Sequence, residues 1–147
     1  MSTYTQSLYH IIFSTKYRNR TLRQNNKEVF YNYIFGILKS KNCFGYCIGG
    51  VEDYLHLLTS LKSDISLASL VKDIKLASSV WIKDQNIFEH FEGWQDGYAA
   101  FTYSMHEKDK IIHYIKNQET HHHKKTFKEE LIDLCKEFNV KYDERYL

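Results

Sequence analysis

Val51-Glu52-Asp53-Tyr54-Leu55-His56-Leu57-Leu58 decides the architecture of this 147-residue chain. From Tyr54 onward it alternates as a strand does, and a strand sends Tyr54 and His56 to one face of a sheet. Cys43 to Val51 is a second apolar run, so Cys43–Val51 and Tyr54–Leu61 read as two strands joined tightly through Glu52-Asp53. Working outward, Gln6–Ser14 is a strand rich in aromatic and β-branched residues. Asn25 with Glu28 reads as a capping box, and Phe30, Ile34, Ile37 and Leu38 follow at helical spacing, predicting a helix over roughly 26–40. Ser66 opens a second helix with the stripe Leu67, Leu70, Val71, Ile74, Ala77 and Trp81. Gln85 to Gly97 has no clean period and reads as a structured loop, and Tyr98–Tyr103 reads as a fourth strand. Ser104-x-x-Glu107 and Thr126-x-x-Glu129 are capping boxes that start two further helices. The order β-α-β-β-α-β, then two helices, predicts an α+β ferredoxin-like split βαβ antiparallel sheet with a C-terminal helical extension. Residues 1–147 form one domain in this reading.

Composition narrows the class. Hydrophobic residues make up 43% and charged residues 26%, as in ordinary globular proteins, while aromatics reach 16%. The absence of Pro excludes Pro-rich linkers. No apolar run has the eighteen or so residues a membrane helix needs, and no signal-peptide core opens the chain. Cys43, Cys47 and Cys135 are odd in number and form no C-x-x-C, which suggests buried thiols in a reducing cytoplasm. A net charge of +2 does not by itself indicate nucleic-acid binding, so that argument must rest on where the charges sit.

The chemistry-bearing residues fall in two places. Tyr54 and His56 share a strand face, and Tyr114 and Gln118 stand four apart on one helix face. Together with His10-Ile11-Ile12-Phe13-Ser14-Thr15-Lys16-Tyr17-Arg18, Gly49-Gly50-Val51-Glu52-Asp53, Val71-Lys72-Asp73-Ile74-Lys75, Trp94 to Phe101, Tyr114 to Gln118 and Tyr142 to Leu147, they occur in an order that is informative. The chain resembles the small HUH-type tyrosine transposases of single-strand insertion sequences, the IS-two-hundred-like family, over nearly its full length. The resemblance implies cleavage of single-stranded DNA beside imperfect hairpins, through a covalent 5′-phosphotyrosine. It implies Tyr114 as nucleophile, with His56 and Gln118 as ligands of a divalent metal, Mg²⁺ or Mn²⁺. It also implies a homodimer in which each tyrosine helix completes the partner's site.

One position departs from that family. Its motif is His-hydrophobic-His, and the first position here is Tyr54. A phenol must lose a proton to bind a metal strongly, so weaker metal affinity and slower cleavage are expected. Tyr54 has three readings: a packing aromatic, a substitute oxygen ligand, or a lesion in a decayed element. His10 alternates in step with the polar face of strand one, where it could border the site or make a structural hydrogen bond. Lys16, Tyr17, Arg18, Arg20 and Arg23 form the densest basic segment. They suit phosphate contact and base stacking, or equally a solvated loop. Lys72 and Lys75 could track a hairpin backbone, although a charged helix face is ordinary. His121-His122-His123 reads as a solvated linker, since consecutive residues cannot all face one ion on regular backbone. Two other functions compete: a catalytically impaired hairpin-DNA-binding relative, and an RNA-binding ferredoxin-like module. The second lacks the K/R-G-F/Y strand motif of its class.

Overall fold

The structure, a computed structural model, describes residues 1–120 and 125–147. His121, His122 and His123 lie outside the described residues. Four strands, β1 (Tyr9–Ser14), β2 (Gly45–Gly50), β3 (Tyr54–Thr59) and β4 (Ala99–Thr102), form one antiparallel sheet in the order β2-β3-β1-β4. The helices are α1 (Lys27–Ser40), α2 (Leu67–Gln85), α3 (Lys108–Thr120) and α4 (Phe127–Glu137). This is the α+β split βαβ arrangement that the sequence predicts, with α3 and α4 as its helical extension.

Register gives each sheet face its own chemistry. His10 pairs with Leu58, and Ile12 with His56. Alternation then sends Ile11, Phe13, Leu55, Leu57 and Ile48 to one side, where they pack with Phe30, Ile34 and Leu38 of α1 and Leu70, Val71 and Ile74 of α2. This is the dry core. Ile12, Tyr54 and Phe101 go to the other side, against Phe127, Leu131, Leu134 and Cys135 of α4. Cys47 and Leu58 also face that side, against Ile111 and Ile115 of α3. His10 and His56 lie on this second face, both fully buried.

Side-chain caps explain most helix starts. Ser66 accepts from the Ser69 N–H, Thr126 accepts from the Glu129 N–H, and Ser104 with Glu107 forms a capping box. The Asn25–Glu28 box is not formed. A 3-10 turn over Gln24–Asn26 precedes α1, and Asn26, at the cap position, makes no side-chain cap. Its amide donates instead to the Ile87 carbonyl at 2.7 Å, so a tertiary bond takes the place of a local one. The stripe of α2 also turns further than predicted. Ser78 and Ile82 are fully buried, whereas Ala77 and Trp81 are half-covered, and Trp81 stacks on Tyr33 at 4.3 Å. Ser78 is tolerated in the core because it accepts from the Trp94 indole at 3.0 Å. All three cysteines are free and buried, as expected. Among the described residues, no helix is long and apolar enough to cross a membrane.

Candidate active site

Gly49 sets how closely the tyrosine helix approaches the sheet. A Cβ at Gly49 would lie 2.7 Å from the Ile115 carbonyl oxygen and 2.8 Å from Ile115 Cγ2, so only glycine lets α3 pack this tightly on β2. Ile115 is fully buried at that contact. Its neighbour Tyr114 is thereby carried to His56, with ring centroids 5.9 Å apart, and to His10 at 6.1 Å.

Glu130 of α4 stands at the centre of this cluster. Tyr54 Oη donates to Glu130 Oε2 at 2.8 Å, and Tyr114 Oη donates to Glu130 Oε1. His56 Nε2 lies 3.2 Å from the same Oε1, close enough for an ion pair yet off the line of a regular hydrogen bond. On its far side, His56 Nδ1 shares a 2.7 Å hydrogen bond with His10 Nε2. Gln118, one turn beyond Tyr114, is 7% exposed. It lines a cavity of about 410 Å³ together with Tyr114, Glu130, Tyr103 and Lys110.

Burial and these contacts set the protonation states. Burial works to raise the Glu130 carboxyl, but the adjacent His56 and the hydrogen bonds from Tyr114 and Tyr54 outweigh it and hold the group down at about 2. The Tyr54 phenol is pushed well above its ordinary value by burial and by the Glu130 charge. Burial and the hydrogen bond to Glu130 do the same to Tyr114. Burial, then the nearby His56, holds His10 well below the ordinary imidazole value, against a smaller opposing pull from Glu130. The cluster therefore holds one carboxylate that accepts from two un-ionised phenols. Tyr54 is one of those donors.

Among the described residues three buried polar atoms have no hydrogen-bond partner: His10 Nδ1, His56 Nε2 and Gln118 Oε1. The last two, an imidazole nitrogen and an amide oxygen, are donor types that a divalent metal takes. Among the described residues no three His, Cys, Asp or Glu side chains are arranged to hold one ion, so any such set must include the Gln118 amide. The residues fit the expected ion on these grounds. Here the sequence comparisons bear directly. A family model described as "Transposase IS200 like" matches residues 3–118. The chain belongs to the IS200-like transposase family. A candidate transposase from Deinococcus radiodurans is similar in structure, with 26% identity and a TM-score of 0.62, over 80% of this chain and 95% of that one. A REP-associated tyrosine transposase bound to a REP hairpin shares the fold at 14% identity and a TM-score of 0.56, over 78% of this chain and 70% of that one. No curated protein matches the chain.

In this IS200-like transposase the remaining expected residues lie around the cluster rather than in it. Tyr17 and Arg18 both have left-handed backbone, with φ of 57° and 55°, which is costly for residues bearing a Cβ. The conformation leaves Tyr17 70% exposed, with Lys16 Nζ 5.5 Å from its ring. Arg18 lies over the Phe127 ring at 4.9 Å, at the start of α4. Arg20 lines a cavity with Asp53, Tyr54 and Phe127. Lys72 and Lys75 are apart from all these, on α2, in a cavity of about 390 Å³ with Trp94 and Tyr98. Lys75 donates to the carbonyls of Gln95, at 2.8 Å, and Gly97, at 2.5 Å, so its ammonium anchors that loop. Glu130 was not expected from sequence. The available signal was its position, a carboxylate between Phe127 and Leu131–Leu134 inside the apolar stripe of α4.

Proposed function

We propose that this transposase binds the hairpin ends of an insertion sequence, then cuts and rejoins single-stranded DNA through a covalent 5′-phosphotyrosine at Tyr114. The contact of Tyr114 with His56 and Glu130 carries this reading: a helix-borne phenol stands beside a buried imidazole and is aimed by a carboxylate, with the unpartnered Gln118 Oε1 one turn along the same helix. Tyr114 Oη gives its proton to Glu130 and attacks the phosphorus, the bond from phosphorus to the 3′ oxygen breaks, and that oxygen takes up one proton from water and leaves as a hydroxyl. A phenol leaves more readily than an alkyl alcohol, so the 3′ hydroxyl can later reverse the step. Glu130 aims the phenol by accepting its hydrogen bond. His10, buried and neutral, accepts from His56 Nδ1–H, which turns the Nε2 lone pair toward the site. His56 and Gln118 would hold Mg²⁺ or Mn²⁺, which would polarise the scissile phosphate and balance its charge.

Lys16, Arg18, Arg20 and Lys72 contact phosphates in this reading, and the outward Tyr17 ring stacks an unpaired base. Residues Gln95 to Tyr98 line both the α2 cavity and a smaller one with Arg18 and Phe127, which supports one DNA path joining the two basic surfaces. The reading includes a homodimer; Tyr114 meets His56 within one chain here, and exchange of α3 between subunits would make the same contact with the partner's strand. Mixing Tyr114→Phe chains with His56→Ala chains tests that exchange. Sites composed across subunits recover adduct in the mixture, and sites composed within one chain recover none.

A second reading is a hairpin-binding relative with impaired cleavage. Tyr54 favours it, since a neutral buried phenol committed to Glu130 does not replace an imidazole as ligand. Labelled single-stranded element ends incubated with protein and Mn²⁺, then run on a denaturing gel, separate the two readings. A covalent adduct lost in Tyr114→Phe, with hairpin binding retained, is the expected result. An adduct that persists in Tyr114→Phe overturns the assignment, and no adduct in the natural protein favours the second reading.

A further inference from the structure

Tyr54 removes one imidazole from the site, and Glu130 brings one carboxylate into it. Glu130 is 4% exposed, and it reaches the cluster from α4, outside the strand and helix that carry the other donors. Its Oε1 stands 3.2 Å from His56 Nε2, off the hydrogen-bond line. Two donors each about 2.1 Å from one octahedral ion and at right angles lie roughly 3.0 Å apart, so this spacing is close to the edge of a metal's coordination shell. Gln118 lines the same cavity as Glu130, and its Oε1 is buried without a partner. We propose that Glu130 is a direct ligand of the divalent metal, taking the place of the imidazole absent at position 54, and that Tyr54 is the positioning residue that holds it.

The chemistry of the exchange is coherent. Mg²⁺ and Mn²⁺ are hard ions that prefer carboxylate to imidazole, so a carboxylate, an amide oxygen and one imidazole suit them at least as well as two imidazoles and an amide. The carboxylate also brings a negative charge that the neutral set lacks. Tyr54 Oη binds Oε2, so Oε1 is the oxygen that faces His56 and the Tyr114 hydroxyl. Tyr54 then acts one bond away from the ion, and a phenol at this position has a function that an imidazole would not serve.

This inference rests on the metal-aided reading of the site, but it is read by metal affinity and not by cleavage. Mn²⁺ is titrated into the full chain, with binding followed by electron paramagnetic resonance and hairpin affinity measured in parallel. One ion per chain is expected. Glu130→Gln should weaken it by at least the roughly 10–100-fold seen for outer-shell losses, with hairpin affinity unchanged. Adding Tyr54→His to Glu130→Gln should restore most of the loss, which a merely structural role for Glu130 would not allow. In the natural chain with ¹³C-labelled glutamate, bound Mn²⁺ should broaden the Glu130 carboxyl signal and spare Glu28, a readout that needs no variant to fold. Unchanged or tighter Mn²⁺ binding in Glu130→Gln, or a sharp Glu130 signal in the loaded protein, overturns the proposal. So does a natural chain that binds no Mn²⁺; if that chain still forms the adduct, Tyr114 keeps its role. An ion bound through Glu130 with no adduct sustains the inference and removes the cleavage reading.

Discussion

The two faces of this sheet are built from the same four strands, yet they do different work. Alternate residues of β1 and β3 send Ile11, Phe13, Leu55 and Leu57 under α1 and α2, with no polar atom to satisfy. Their neighbours send His10, Tyr54 and His56 under α3 and α4, where every buried nitrogen and oxygen needs a partner. Apolar burial is non-directional, so the first face tolerates approximate packing. Hydrogen bonds are directional, so the second face fixes side-chain positions and leaves His56 Nε2 and Gln118 Oε1 available. Stability belongs mainly to one side and chemistry to the other.

The largest expected effect falls on the dry face. Leu57 is fully buried there, and Leu57→Ala should cost about 2–5 kcal/mol by urea denaturation. Adduct formed per folded molecule should stay constant. If that yield falls in step with stability, the faces are not independent.

Gly49→Ala is expected to come next, because it acts on both quantities. Its Cβ collides with backbone of α3, which cannot swing aside as a side-chain tip can. A cost of about 1–3 kcal/mol is expected from overpacking. Since α3 carries Tyr114, adduct yield should fall by more than the folded fraction does. Equal falls would show that the fit of α3 on β2 does not aim the tyrosine.

Legibility in the sequence follows the same division. The dry face repeats with the strand and helix periods, so the order of elements and the class of fold can be read from spacing alone. The polar face is legible only where its residues are near in sequence: Tyr54 with His56, or Tyr114 with Gln118. His10 could be placed beside the site because β1 pairs with β3, although spacing does not reveal its bond to His56. Glu130 joins His56 and Tyr54 across seventy-odd residues, and no local period encodes that meeting. The expected Asn25 cap fails for a related reason, since Asn26 takes the cap position and its amide serves the distant Ile87 carbonyl.

Tyr54→Phe removes one donor from Glu130 and should cost about 1–2 kcal/mol, less than either packing change. Its signature lies at alkaline pH. Burial raises the phenols of Tyr54, Tyr103 and Tyr114 in the folded chain, Tyr103 to about 12. Folded phenols therefore keep protons that unfolded ones release near pH 10. Their contribution is complete below about pH 10 and is lost as pH rises through the folded values. Tyr54→Phe should make the fall of stability above pH 10 shallower by one proton. An unchanged slope would mean that Tyr54 ionises as an ordinary phenol does.

The smallest effect separates two lysines of α2 that look alike in sequence. Lys72 is exposed, whereas Lys75 is half-buried and committed to the Gln95 and Gly97 carbonyls. A phosphate contact adds roughly 0.7 to the salt dependence of single-strand binding, and roughly 0.9 for a duplex. Lys72→Ala should lower the slope of log affinity against log salt by about that amount, at unchanged stability. Lys75→Ala should leave the slope nearly intact and loosen the loop that carries Trp94 and Tyr98, which a melting curve would register. If both substitutions lower the slope alike, Lys75 can leave its carbonyls for the DNA. The loop would then be part of the binding surface in its own right, and not only the strap between α2 and the basic segment after β1.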